Sequence, residues 1–171
     1  MLSSQKRKIN FIQAEMTSCG LNDGPLPGQG HYPAYIACNV YGRNGTRFLS
    51  MLKHPKGADP FLTMKGKDRE EGPDQYVSNF CGGCTVGFKY FDLRETKKIA
   101  VTLQGYAQSQ DCAVTVRNRE KDGPVLVRIP VQTCTRAKTF EAAFPALSEK
   151  EALYFSIEGK GTFDFLSFDL A

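Results

Sequence analysis

Cys81-Gly82-Gly83-Cys84 is the sharpest local motif in the chain. Two thiolates at this spacing can chelate zinc, but a tetrahedral site needs two further ligands. Only Cys, His and carboxylates scattered elsewhere would supply them. A redox pair of this kind opens a helix in a βαβ setting, whereas these cysteines sit among strand-forming residues. The motif therefore reads as a turn with small residues and partly buried thiols. His31 and His54 both lie in loop-rich segments, with no nucleophile context beside them, and read as surface residues. Asp68, Glu70 and Glu71 are the residue types that hydrolyse glycosides in pairs. Consecutive acids in a Lys- and Gly-rich loop read as solvated, however, and nothing places two carboxyl groups across a cleft. No Ser sits in a Gly-x-Ser-x-Gly elbow, and no phosphate-cradling loop precedes a helix. The chain reads as non-catalytic.

The aromatic residues carry a different signal: 12 Phe and 7 Tyr, with no Trp. Phe88, Phe91, Phe163 and Phe168 fit core positions. Tyr76 lies where a polar loop meets an apolar run. A ring exposed there can stack on the apolar CH face of a sugar, while neighbouring polar side chains satisfy the hydroxyls. The plainer reading is a tyrosine packed at a strand edge.

The elements that must position these residues are strands. Ile99, Val101 and Leu103 alternate with Ala100 and Thr102, and Cys112, Val114 and Val116 with Thr115 and Arg117. Val125, Val127, Ile129 and Val131 oppose Arg128, and Leu153, Phe155 and Ile157 oppose Ser156 and Glu158. A period of two is what a half-buried strand requires. Gly105, Asp122-Gly123-Pro124 and Gly159-Lys160-Gly161 break these runs. Phe163 to Leu170 changes phase at Phe165-Leu166, which predicts a bulge or a strand buried on both faces. Ser148 to Ala152 alone reads as a helical turn. In the first half, Ile9 to Ala14 and Tyr35 to Val40 read as strands separated by long loops. The whole predicts an all-β sandwich or barrel.

The length suits one domain: a basic tail over 1–8 and a single β domain over 9–171. The net charge of +4 is modest and scattered, so no nucleic-acid partner is expected. No run approaches the ~20 apolar residues of a membrane span. The basic N-terminus lacks an apolar stretch after it, so no secretory signal is expected. The chain reads as a bacterial cytoplasmic protein or an excised domain. Six cysteines fall well short of a disulfide scaffold, and free thiols are expected.

Several segments resemble family 6 carbohydrate-binding modules. Phe11-Ile12-Gln13-Ala14-Glu15 is similar to their first strand, and Tyr76-Val77-Ser78-Asn79 with Gly87-Phe88-Lys89-Tyr90-Phe91-Asp92 to their central pair. Phe163 to Leu170 is similar to their last strand. Glu15 to Asn22, Pro33 to Asn39, Val86 to Asp92 and Asp68-Arg69-Glu70-Glu71 narrow the resemblance to modules at the C-terminus of family 43 glycoside hydrolases. The resemblance spans Ile9 to Ala171. It implies a galactose-binding-like β-sandwich jelly roll with no catalytic site of its own. Its function would be to bind xylan- or arabinan-type oligo- or polysaccharide beside a hydrolase catalytic domain. The alternative is a structural jelly roll that packs on that catalytic domain without binding sugar.

On the resemblance, Tyr76 would be the stacking platform, with Asn79 and Asp164 bonding to sugar hydroxyls. A structural calcium is also implied where first and last strands meet, with Glu15 and Asp169 as ligands. Three features depart from the family. Trp is absent, no ring lies within Thr133 to Arg136, and the stretch between Glu15 and Tyr76 is longer than usual.

Overall fold

The computed structural model describes residues 14–42, 59–66, 74–147 and 150–171. In chain order the strands are β1 (Glu15–Thr17), β2 (Gly20–Asn22), β3 (Leu26–Pro27), β4 (Gly30–Pro33), β5 (Asn39–Tyr41), β6 (Phe61–Met64) and β7 (Gln75–Cys81). Longer ones follow: β8 (Thr85–Asp92), β9 (Lys98–Ala107), β10 (Ala113–Asn118), β11 (Val125–Pro130), β12 (Cys134–Ala143), β13 (Lys150–Glu158) and β14 (Gly161–Leu170). They form the predicted all-β sandwich. One sheet runs β11-β10-β13-β8-β3, with β5 also on β8; the other runs β12-β9-β14-β7-β6, with β4 also on β14. β1 and β2 form a separate hairpin. The pairings are antiparallel apart from β3 against β8.

Alternation along the strands builds the core between the sheets. In β14, Phe163 and Phe165 are buried while Asp164 between them is only partly covered. Phe168 is fully buried among rings from both sheets, with centroids 4.8 Å from Phe88, 4.9 Å from Phe155 and 5.3 Å from Tyr32. Each such ring removed from water stabilises the fold by roughly 1.5–3 kcal/mol. The phase change expected at Phe165-Leu166 is a bulge. The register of β14 against β9 shifts between Phe165 and Ser167, which lets Phe168 return to the inner face.

Two sequence expectations give way. Tyr35 to Val40 is not one strand: Ala34–Ile36 is a short 3-10 helix and β5 begins only at Asn39. Ile36 and Ala37 are adjacent yet both pack on the core, which strand alternation forbids. Lys150 to Ala152 belong to β13 rather than a helical turn, with Lys150 opposite Asp92 and Glu151 opposite Phe91. Ladder pairing there overrides the helix preference of Lys, Glu and Ala. Glu15 opens β1; the strand expected over Ile9 to Ala14 lies, up to residue 13, outside the described residues, as do Ser148, Glu149 and the basic tail. The loops expected between Glu15 and Tyr41 also hold short strands, too brief to display a period of two.

Candidate functional site

The register of β7 against β14 explains how one polar patch is assembled. Phe80 faces Phe163 and Val77 faces Phe165, so Ser78 and Asn79 together oppose the single residue Asp164. This two-against-one arrangement is a β-bulge. Asn79 adopts it with φ of 56°, in the left-handed region that Asn tolerates better than most residues. Val77 is fully buried, so its neighbours Tyr76 and Ser78 sit on the outer face of the sheet. The sequence-predicted trio Tyr76, Asn79 and Asp164 is thus brought together on neighbouring strands.

Around that trio stand residues that the sequence reading missed. The Ser78 hydroxyl donates to Asp164 Oδ1 at 2.7 Å. The Lys65 ammonium lies 5.5 Å from the centre of the Tyr76 ring and donates to Gln104 Oε1 at 3.3 Å. Gln104 faces Asp164 across β9 and β14 and donates through Nε2 to the Thr135 carbonyl at 3.0 Å. Burial, and then the negative charge of Asp164, raise the Tyr76 phenol above its ordinary pKa. A half-covered ring, a carboxylate, an amide, a hydroxyl and an ammonium therefore share one open face. Such a set can pack an apolar ring face and exchange hydrogen bonds.

Tyr106 extends this face and is 61% exposed. It pairs with Thr162 and follows Gly105, which faces Phe163. A side chain at residue 105 would strike the Thr162 carbonyl and come within 2.7 Å of Phe163 Cα, so only glycine fits beneath. Tyr106 also neighbours Thr133, whose hydroxyl accepts from the Ala107 amide at 3.1 Å. It thus supplies an exposed ring beside the segment where the sequence has none. By strand spacing, Tyr76 and Tyr106 stand roughly 15 Å apart along the diagonal of the face. The alternation of Leu103, Gln104, Gly105 and Tyr106 was the available signal for this outer row.

The carboxylates named for calcium are donors of the right kind, each engaged by a neighbouring side chain. Glu15 forms an ion pair with Lys150. Asp169 Oδ1 lies 2.7 Å from His31 Nδ1, on the paired positions of β14 and β4. Among the described residues, no group of three or more His, Cys, Asp or Glu is placed to hold a metal ion. A calcium would have to displace Lys150 and His31 and gather carbonyls and water to reach about six to eight oxygens. His54, Asp68, Glu70 and Glu71 lie outside the described residues. Cys81 and Cys84 do flank a turn: the Cys84 amide donates to the Cys81 carbonyl at 2.9 Å, and Gly83 takes φ of 82°. No described helix is long and apolar enough to cross a membrane.

No family model matches the chain. It is 38% identical over 159 residues to a xylosidase/arabinosidase of Thermoclostridium stercorarium, covering 92% of this chain. The chain spans about a third of that relative's length, 33%. A solved family 6 carbohydrate-binding module of Clostridium stercorarium, in complex with cellobiose, superposes with a TM-score of 0.60 at 12% identity, over 86% of this chain and 97% of that one. A family 6 module of Clostridium cellulolyticum, in complex with xylose, gives 0.61 at 11% identity, over 85% and 99%. A family 43 arabinoxylan arabinofuranohydrolase of Bacillus subtilis, in complex with cellotetraose, gives 0.63 at 11% identity, over 86% of this chain and 28% of that protein. At those identities the likeness is one of fold: this chain has the β-sandwich of the family 6 modules.

Proposed function

We infer that this chain is a non-catalytic module that binds xylan- or arabinan-type glycan beside a plant-polysaccharide hydrolase. The observation that carries the reading is the Tyr76–Asp164 patch. It combines a ring and convergent polar groups on an open sheet face, within a fold shared with sugar-binding modules. The 38% identity to part of a xylosidase/arabinosidase supports the choice of glycan and of a hydrolase catalytic domain as partner. In this reading Tyr76 and Tyr106 carry the sugar rings. Asp164, Asn79 and Gln104 meet the hydroxyls, and Lys65 steadies Tyr76. Such a shallow site binds weakly, with a Kd roughly between micromolar and millimolar. A structural calcium at Glu15 and Asp169 is carried as a proposal from the family resemblance, and a reducing bacterial cytoplasm as the setting that suits six cysteines.

A second reading is favoured by one feature. Met16 and Leu21 pair across the β1–β2 hairpin and are 60% and 72% exposed, an apolar pair that a catalytic domain would cover. Here the jelly roll shapes its hydrolase partner without touching sugar. Calorimetric titration of the chain with xylo- and arabino-oligosaccharides separates the two. Saturable heat that is lost in Tyr76→Ala supports the first reading, and no heat with either sugar overturns it. Hydrolysis of aryl glycosides above buffer, lost in Glu70→Gln or Glu71→Gln, would overturn the non-catalytic assignment.

A further inference from the structure

Cys81 ends β7 in one sheet and Cys84 stands just before β8 in the other, so their turn is where the chain crosses the sandwich. Gly82 bridges to Ile157 in β13, and a side chain on it would meet the Gly159 carbonyl at 2.6 Å. The turn is therefore held against the end of β13. Within it the two sulfurs lie 3.3 Å apart, at hydrogen-bonding distance, and both side chains are fully buried. Gly82 and Gly83 line an open cleft of about 730 Å³, together with Gln108, Gly159, Lys160 and Thr162.

We propose that Cys81 and Cys84 are a modification site: a dithiol that hydrogen peroxide closes into a disulfide across the sheet-to-sheet turn. Peroxide is little larger than water, so a fully buried pair hinders it less than it hinders a bulkier disulfide oxidant. In the first step a thiolate sulfur attacks one peroxide oxygen. The O–O bond breaks, hydroxide leaves and is protonated to water, and the sulfur is oxidised to a sulfenic acid. In the second step the other sulfur attacks the sulfenic sulfur. The S–O bond breaks, and hydroxide leaves with the remaining thiol proton as a second water. Two thiols lose two electrons in all, and one peroxide is reduced to two waters. Burial slows the first step by hindering the approach of peroxide. Contact between the sulfurs speeds the second, so the sulfenic acid is trapped before further oxidation.

The test treats the full folded chain with peroxide, quenches with catalase, then denatures, alkylates and digests it. Cys19 and Cys38, which are exposed, act as internal markers of dose. The expected result is a peptide carrying Cys81 and Cys84 that is lighter by two hydrogens, unalkylated, and restored by dithiothreitol. In Cys84→Ser that peptide is absent and a sulfenic-acid probe labels Cys81. The proposal is overturned if both sulfurs still alkylate fully once Cys19 and Cys38 are oxidised. It is equally overturned if the pair closes only in denaturant, or advances to sulfonic acid without bonding. Should the serine variant fail to fold, the wild-type mass and its reversal decide alone.

Discussion

Ser78 and Asp164 meet at the β7–β14 bulge, the serine hydroxyl donating to the carboxylate at 2.7 Å. The bond fixes the carboxylate where β7 carries one residue too many, next to the Tyr76 ring. If this corner grips sugar, Tyr76→Ala should weaken xylo-oligosaccharide binding by about tenfold, or about 1.4 kcal/mol. Tyr106→Ala should cost less with short oligomers and more with long ones, because its ring lies at the far end of the face. Calorimetry on a ladder of oligomer lengths reads both. Length-independent losses would place the two rings in unrelated roles.

Alkaline pH should loosen the fold from about pH 10. Tyr32, Tyr76 and Tyr154 all have phenols raised above the ordinary 10.0, burial being the first cause in each. A phenol whose folded pKa lies above its unfolded value adds stability that is complete below the unfolded value. That stability drains away as pH climbs through the folded one. Denaturant midpoints between pH 9 and 12 (roughly the tyrosine range) should fall, with m unchanged. Asp164→Asn should lower the Tyr76 phenol toward 10.0 in an ultraviolet titration without reaching it, because burial stays.

Phe168→Ala should cost about 3–5 kcal/mol. The ring touches Tyr32, Phe88, Phe91, Phe155 and Phe165 and is fully buried, so its loss opens a cavity between the sheets. Urea unfolding measures it. A loss under 1 kcal/mol would mean that the surrounding rings collapse into the gap.

The proposed calcium expects a higher melting midpoint in calcium than in chelator. At a hundred times Kd the gain is about 2.7 kcal/mol, and Glu15→Gln should abolish it. Coincident melts would leave Glu15 to Lys150 and Asp169 to His31, pairs that are exposed enough to matter little alone.

Much of this was legible in the chain itself, and the parts that were not share a cause. From β9 onward, alternation announced nearly every strand, and the phase slip at Phe165-Leu166 announced the β14 bulge. Between Glu15 and Tyr41 strands of two to four residues are too short to display a period. Ala34–Ile36 curls because neighbouring residues must face the same core. Tyr76, Asn79 and Asp164 were named from resemblance and do converge on adjoining strands. Lys65, Ser78, Gln104 and Tyr106 join them through cross-strand register, which a linear pattern does not reveal. The pairing of Glu15 with Lys150 links positions far apart in sequence and had no local sign.

β14 lies at the heart of its sheet, bonded to β9 on one side and to β7 and β4 on the other. Until residues 161–170 have been made, β9 and β7 have no shared neighbour, and both present open edges to other nascent chains. That sheet therefore closes only once β14 has cleared the exit tunnel. A premature stop within β14 would remove a central stave, not fray an edge.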